Sequence, residues 1–349
     1  MAGSGNQSFF TPQFPHESNT ARLFFKIFQG GLYHYSILFS NIIDSTFATG
    51  SHSHKNIICD EWYIDELKLG ICDTCNIEFM VPINNFISLT FNGNTSKIVS
   101  PGEFFHTDEV ALNLQKDQYI CLEISYHGTM IPCHPESQIP TFIKRDENWI
   151  PSKDVPVPSM IGCDRPIQNR VAYLGDSITQ GIGTPHNAYT SWNCLLSEKL
   201  GDVNGYWNLG LGFGRADDAA SDGAWLFKAK QANTVIVCFG VNDILQGFSE
   251  ECLKKNLKTI ANTLGNKGIR VIIQTIPPFD YDEFHRTIWS NVNNYIQTEL
   301  SQKYEIFDTV PVLSVSTELS HMAKYGGHPD EEGCALWAEQ LFTQLQNTL

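Results

Sequence analysis

The sequence predicts an α/β protein in two parts: an antiparallel β-sandwich of jelly-roll type over residues 1–150, and a parallel sheet covered by helices over residues 168–349. Three observations predict it. From Leu23 to Tyr126, short runs alternate apolar and polar residues between turn residues, the period-2 pattern of half-buried strands. From residue 168 onward, short continuous apolar runs are each followed by a segment with apolar residues three or four apart, so strands and helices alternate. Between the two, Pro151 to Pro166 (PSKDVPVPSMIGCDRP) holds four prolines and little pattern. That stretch reads as a linker over 151–167.

In the first part the predicted strands include LYHYSILFSN, IEFMVPI, FISLTFNGN and YICLEISYHG. LTFNGNTSKIV reads as two strands around an Asn-Gly turn, because both central residues of such a turn need positive φ. In the second part RVAYLG predicts a strand and SWNCLLSEKL a helix. YWNLGLG is followed by AASDGAWLFKAKQA, TVIVCFG by EECLKKNLKTIANTL, and RVIIQTIPP by FHRTIWSNVNNYIQTEL. YEIFD and the terminal helix EGCALWAEQLFTQLQ complete the series. Repeated strand–helix units place helices on both faces of a parallel sheet. Ligands then bind beyond the carboxyl ends of the strands.

Composition narrows the partners. Hydrophobic residues make up 42% of 349 and charged residues 17%, enough to bury a sizeable core. The formal net charge of -15, from 23 Lys and Arg against 38 Asp and Glu, repels phosphate backbones and anionic lipid. Neither nucleic acid nor a membrane surface is therefore expected as a partner, and no apolar run approaches the ~20 residues of a membrane span. The opening MAGSGNQSFFTPQF lacks a basic segment followed by an apolar one, so the reading is a cytoplasmic protein without a secretory signal. The ten cysteines are scattered, several in apolar runs, and read as reduced and structural. His52, His54, Cys59, Cys72 and Cys75 could be grouped on paper, but no second closely spaced pair makes them a zinc site.

Four short segments at successive strand ends carry the chemistry. Gly175-Asp176-Ser177-Ile178 puts a serine on a strand-to-helix turn, where it is exposed beside backbone amides; an ordinary helix cap has the same composition. Asn208-Leu209-Gly210-Leu211-Gly212-Phe213-Gly214 lets the backbone approach a ligand closely. Gly240-Val241-Asn242-Asp243 supplies an amide able to donate to a developing oxyanion. Gly326-Gly327-His328-Pro329 supplies an imidazole near neutral pKa, able to take and return a proton. Each alone is also a plain loop. Their joint order at four strand ends is the informative signal.

That order, anchored by VAYLGDSITQG, resembles the GDSL/SGNH hydrolase superfamily over roughly residues 168–349. The resemblance implies a three-layer α/β/α, flavodoxin-like fold and ester hydrolysis through an acyl-serine. Ser177 corresponds to the nucleophile and its own N–H to one oxyanion donor. Asn242 corresponds to a second donor and His328 to the base. A glycine of NLGLGFG corresponds to the third donor: Gly212, or Gly214, since the usual spacing falls on Phe213. No metal or cofactor is implied. One departure stands out, because the family's Asp three residues before the His is here Tyr325. Three readings follow: a Ser–His dyad held by a backbone carbonyl, a substitute acid such as Asp330 or Asp308, or a site with reduced or lost activity.

The first part, through LYHYSILFSN, LTFNGNTSKIVSPGEFFHTDEVAL and CLEISYHG, resembles the β-domain preceding the hydrolase domain in bacterial carbohydrate esterases. The expected substrate is then a short acyl ester, O-acetyl on a sugar or oligosaccharide. Two alternatives remain: a lipase or thioesterase of the same superfamily, or a carbohydrate-binding protein with a degenerate hydrolase domain. Trp62 and Tyr63 are either sugar-stacking aromatics or core. Asp218, Asp222 and Trp225, at helical spacing with Trp192, Arg215 and Asp217 nearby, either shape a polar pocket or form a solvated helix face. QTIPPF either walls the cleft or ends its strand.

Overall fold

The computed structural model describes residues 5–10, 17–46, 54–75 and 86–346. The chain divides into two compact units, residues 1–44 with 56–166 and residues 45–55 with 167–349.

The first unit is β-rich and antiparallel. One sheet runs Asn148–Pro151, Thr141–Arg145, Asn19–Lys26, Tyr119–Gly128, Trp62–Cys72 and Ile87–Ser88, with Lys97–Val99 also paired to Trp62–Cys72. A second runs Val110–Leu114, Gly31–Ser40 and Met160–Cys163, with Phe104–His106 also paired to Gly31–Ser40. Leu23 and Phe25 of one sheet and Ile37 and Phe39 of the other share a core with Trp62, Ile64, Leu122 and Ile124, the alternate positions that period 2 sends inward. The Asn92-Gly93 turn forms with φ of 53° and 82°, closed by Phe91 N–H to Asn94 O and the reverse bond. IEFMVPI lies outside the described residues. Trp62 is core, its indole N–H donated to Asn41 Oδ1, whereas Tyr63 stacks on the His127 ring at 4.6 Å.

The proline-rich stretch expected to be a linker is instead built into the first unit. Its ends are the strands Asn148–Pro151 and Met160–Cys163, and Val155 and Val157 are buried between them. Proline tolerates such edge positions, where a missing N–H costs no ladder bond. All ten cysteines are free.

The second unit holds a five-stranded parallel sheet: β1 (Asn169–Gly175), β2 (Asn204–Gly210), β3 (Thr234–Cys238), β4 (Arg270–Gln274) and β5 (Glu305–Phe307). Their order across the sheet is β2-β1-β3-β4-β5. Val171–Leu174 and Val235–Val237 are buried, which explains their unbroken apolar runs. The helices are α1 (Ser177–Gln180), α2 (Trp192–Leu200), α3 (Ala216–Ala220), α4 (Ala224–Ala229), α5 (Val241–Leu245), α6 (Glu250–Gly265), α7 (Glu283–Thr298), α8 (Val310–Leu313) and α9 (Glu331–Leu345).

The chain moves from β1 outward to β2, then crosses to β3, β4 and β5. Right-handed crossovers therefore send the helices to opposite faces. α2 packs on α9 through Trp192 stacked on Trp337 at 4.8 Å, while α3, α5, α6 and α7 pack among themselves. In α6 the buried Leu253, Leu257, Ile260, Ala261 and Leu264 repeat at three and four, and the Ser249 hydroxyl caps its start by accepting from Cys252 N.

The segment AASDGAWLFKAKQA is not one helix. Asp222 adopts φ 54° between α3 and α4, so Asp218, Asp222 and Trp225 do not share a face. Asp218 and Trp225 are buried, and Asp222 pairs outside with Lys230. Ser45 and Lys55 contact α3 of the second unit: Ser45 Oγ donates to Asp218 Oδ2 at 2.8 Å, and Lys55 Nζ lies 2.6 Å from Asp217 Oδ2.

Candidate active site

β1 lies between β2 and β3, so the sheet reverses direction at its carboxyl end, where an open α/β sheet offers a crevice. Gly175 makes the turn there. A Cβ on it would meet Thr179 Oγ1 at 2.1 Å and Cys238 O at 2.4 Å. Only glycine allows α1 to start this close to the sheet. Asp176 caps α1, its carboxylate accepting from Ile178 N, and burial pushes that carboxyl up to about 7. Ser177 is thereby the first residue of α1. Its N–H precedes the first helical hydrogen bond, and nothing among the described residues accepts it.

Ser177 Oγ lies 2.8 Å from His328 Nε2. The two loops meet because Gly183, at φ 105°, lets the backbone after α1 press against His328 and Pro329. A Cβ there would sit 2.7 Å from Pro329 O. Phe279, from QTIPPF, meets the His328 ring edge-on at 5.7 Å and covers Gly327. Burial holds the imidazole below its ordinary pKa of 6.5.

Among the described residues, no carboxylate reaches that imidazole. Asp330 Oδ1 caps α9 by accepting from Gly333 N at 3.0 Å. Asp308 accepts from Thr275 Oγ1, Val310 N and Gln297 Nε2. Tyr325 is buried against Gly333, where its Cβ would lie 2.6 Å from an added methyl. Among the described residues, His328 Nδ1 has no hydrogen-bond acceptor, backbone carbonyl included.

The glycine segment is held from both sides. The Gly212 N–H donates to Gln180 Oε1 at 2.5 Å, and the Gly214 N–H to Leu211 O at 3.0 Å. The N–H groups of Gly212 and Gly214 are thus both bonded inside the protein in this structure. Phe213, between them, takes φ 59°. Asn242 Nδ2 donates one hydrogen to Gly214 O at 3.0 Å. A carboxamide has two such hydrogens, so the second is left for a ligand.

The neighbour Asp243 accepts from Ala216 N at 2.9 Å and Asp217 N at 3.3 Å, fixing the start of α3, and burial pushes its carboxyl up to about 7. Trp225 passes beneath, its indole N–H donated to Leu209 O and its ring where a Cβ on Gly214 would go.

Motif reading gave no role to Gln180 or Asp243, although both stand in the quoted segments, and left QTIPPF, which carries Phe279, as either cleft wall or strand end. Gln180 was findable, because it stands one helical turn after Ser177 and so on the same face. Phe279 does line the His328 loop, one of the two alternatives for QTIPPF, and the contacts of Asp243 with α3 are tertiary ones that no spacing encodes.

Residues 173–336 match the model of the GDSL-like Lipase/Acylhydrolase family. Solved structures with similar folds include a member of the lipolytic protein G-D-S-L family from Veillonella parvula, 19% identical over 52% of this chain and 99% of that one, with a TM-score of 0.42. Another is the lipase/acylhydrolase from Enterococcus faecalis, 18% identical over 52% and 96%, TM-score 0.43. A third is the psychrotrophic esterase EstA from Pseudoalteromonas, 16% identical over 52% and 98%, TM-score 0.42. No curated protein matches. The parallel-sheet part of this chain thus matches, over residues 173–336, the GDSL-like lipase/acylhydrolase domain, a family of carboxylic ester hydrolases.

Proposed function

We propose that the protein is a serine esterase that cleaves short acyl esters, O-acetyl groups on a carbohydrate above all, with Ser177 as nucleophile and His328 as base. The observation that carries this reading is the 2.8 Å contact between Ser177 Oγ and His328 Nε2 at the reversal point of the sheet.

Ser177 Oγ attacks the ester carbonyl as its proton passes to His328 Nε2. The new oxyanion takes hydrogen bonds from the Ser177 N–H and from the second hydrogen of Asn242 Nδ2. The tetrahedral intermediate collapses by breaking the acyl C–O bond, and the departing alkoxide takes the proton from His328. Water then attacks acyl-Ser177, giving its proton to His328, which returns it to Ser177 Oγ as the acid leaves. His328 works as one half of a dyad, held by the Gly183 and Phe279 contacts in place of a carboxylate.

The net charge of -15 favours a neutral substrate over an anionic lipid surface. A second reading, a lipase or thioesterase acting on longer acyl chains, gains support from one observation. Phe213, Leu245, Phe284, Val315 and Leu319, all exposed, lie on segments that follow the carboxyl ends of the strands. A series of nitrophenyl esters separates the two: the esterase reading expects the highest kcat/KM at acetate, the other a rise with chain length. The catalytic assignment is tested by Ser177→Ala on nitrophenyl acetate, and equal rates for variant and wild type reject it.

A further inference from the structure

We propose that Gln180 is a positioning residue for Asn242: its side chain fastens the Leu211–Gly214 turn to the nucleophile helix, and that turn holds the Asn242 carboxamide in the direction the oxyanion needs. Gln180 has this role only if Asn242 is an oxyanion donor, as proposed above.

Ser177 and Gln180 are the first and last residues of α1, one helical turn apart. Gln180 is 2% exposed, and its Oε1 accepts the Gly212 N–H at 2.5 Å. Its backbone carbonyl accepts from Asn208 Nδ2 at 3.2 Å. Side chain and main chain of one residue thus bind both the end of β2 and the turn after it. The approach is close: a Cβ on Gly210 would lie 2.2 Å from Gln180 N. The turn's first residue is fixed separately, by Leu211 N–H to Gly175 O at 3.0 Å.

The turn carries this restraint onward. It is closed by Gly214 N–H to Leu211 O at 3.0 Å, and Gly214 O accepts one Asn242 Nδ2 hydrogen at 3.0 Å. Rotation of a carboxamide about its last side-chain bond is soft. The Gly214 carbonyl therefore sets the plane of the Asn242 amide, and with it the direction of the second Nδ2 hydrogen. Gly212 has no side chain with which to anchor the turn, and its backbone is intrinsically free. The bond to Gln180 removes that freedom. Without Oε1 the buried Gly212 N–H loses its acceptor, and the turn relieves the loss by shifting toward solvent, taking Gly214 O and the Asn242 amide with it. An oxyanion donor acts through its fixed placement, so such a shift is read in kcat rather than in substrate binding.

The experiment measures kcat and KM on nitrophenyl acetate for wild type, Gln180→Met, Asn242→Ala and the double variant, with urea unfolding of each. Gln180→Met keeps the length of the side chain and removes the acceptor. It is expected to lower kcat about tenfold while KM stays within about twofold. In the Asn242→Ala background the same substitution is expected to change kcat by less than about twofold, because the donor it positions is already gone. Gln180→Asn withdraws the acceptor by one methylene and runs the same cycle should Gln180→Met fail to fold. An unchanged kcat in the folded variant overturns the positioning role, and so does an equal loss with Asn242 present or absent, the result of a purely structural contact. Asn242→Ala separates the two levels. If it lowers kcat by about 10²–10³ while Gln180→Met is silent, only the bridge fails. If it leaves kcat unchanged, the oxyanion reading fails and Gln180 loses its role with it.

Discussion

Ser177 Oγ stands 2.8 Å from His328 Nε2, and the opposite nitrogen of that imidazole meets no carboxylate among the described residues. A paired carboxylate stabilises the imidazolium and raises the pKa of a histidine. Here burial acts without that counterweight and lowers it. The base must be neutral to accept the serine proton, so activity is lost as pH falls through the folded-state pKa and present above it. The prediction is a kcat/KM profile on a neutral ester that rises with pH and reaches half its maximum below pH 6.5. A half-maximum above 6.5 reveals a carboxylate partner and contradicts the dyad.

Tyr325 occupies the position of the family's acid without taking its role. Its side chain is 8% exposed and packs on Gly333 at the start of α9, and its carbonyl accepts from Asp330 N. Tyr325→Phe keeps this packing, and its kcat should stay within about twofold of wild type, since the substitution removes no partner of His328. Tyr325→Asp removes the ring and buries a charge, which should lower stability by about 3 kcal/mol. Urea unfolding alongside kcat checks both. A large loss of kcat in Tyr325→Phe with unchanged stability makes the phenol a participant.

Much of this was readable before any coordinates. The parallel sheet announced itself because strands buried on both faces need unbroken apolar runs, and VAYL and VIVCF supply them. The approach of Ser177 to His328 could be expected because strand-end loops in such sheets converge on one edge. The bonding of the glycine segment could not, because a glycine shows that the backbone is accessible and not which N–H is already bonded. Gly212 gives its N–H to Gln180, a partner 32 residues away in sequence. The proline-rich stretch was misread for a similar reason: composition registers the prolines, whereas the strand pairing of Met160–Cys163 with Gly31–Ser40 depends on a partner over a hundred residues earlier.

Asn242 ties Gly214 O at 3.0 Å with one amide hydrogen, and in the proposed mechanism its other hydrogen serves the oxyanion. Asn242→Ala should lower kcat by about 10²–10³, the range for loss of one oxyanion donor, with a much smaller change in KM. Asn242→Asp keeps the volume but only accepts, and places negative charge beside the oxyanion, so it should be at least as impaired. Steady-state kinetics on nitrophenyl acetate distinguishes this from a binding role, in which KM rises and kcat stays.

Asp218 shows why Ser45 belongs with the second unit. Its carboxylate is buried and accepts from Arg215 N at 3.1 Å, Arg215 Nη2 at 2.8 Å and Ser45 Oγ at 2.8 Å. Removing one partner of a buried charge pair leaves the other uncompensated, so Asp218→Asn should cost about 3 kcal/mol. Ser45→Ala deletes one hydrogen bond to a charged group and should cost about 1–2 kcal/mol. Lys55, paired with the partly exposed Asp217, is worth about 0.5 kcal/mol or less once solvent screening is counted. Urea unfolding of the three variants should therefore rank Asp218→Asn, then Ser45→Ala, then Lys55→Ala. Because α3 follows directly on the Phe213 turn, the first two should also lower kcat, and a Ser45→Ala variant as stable as wild type removes this contact from the architecture of the site.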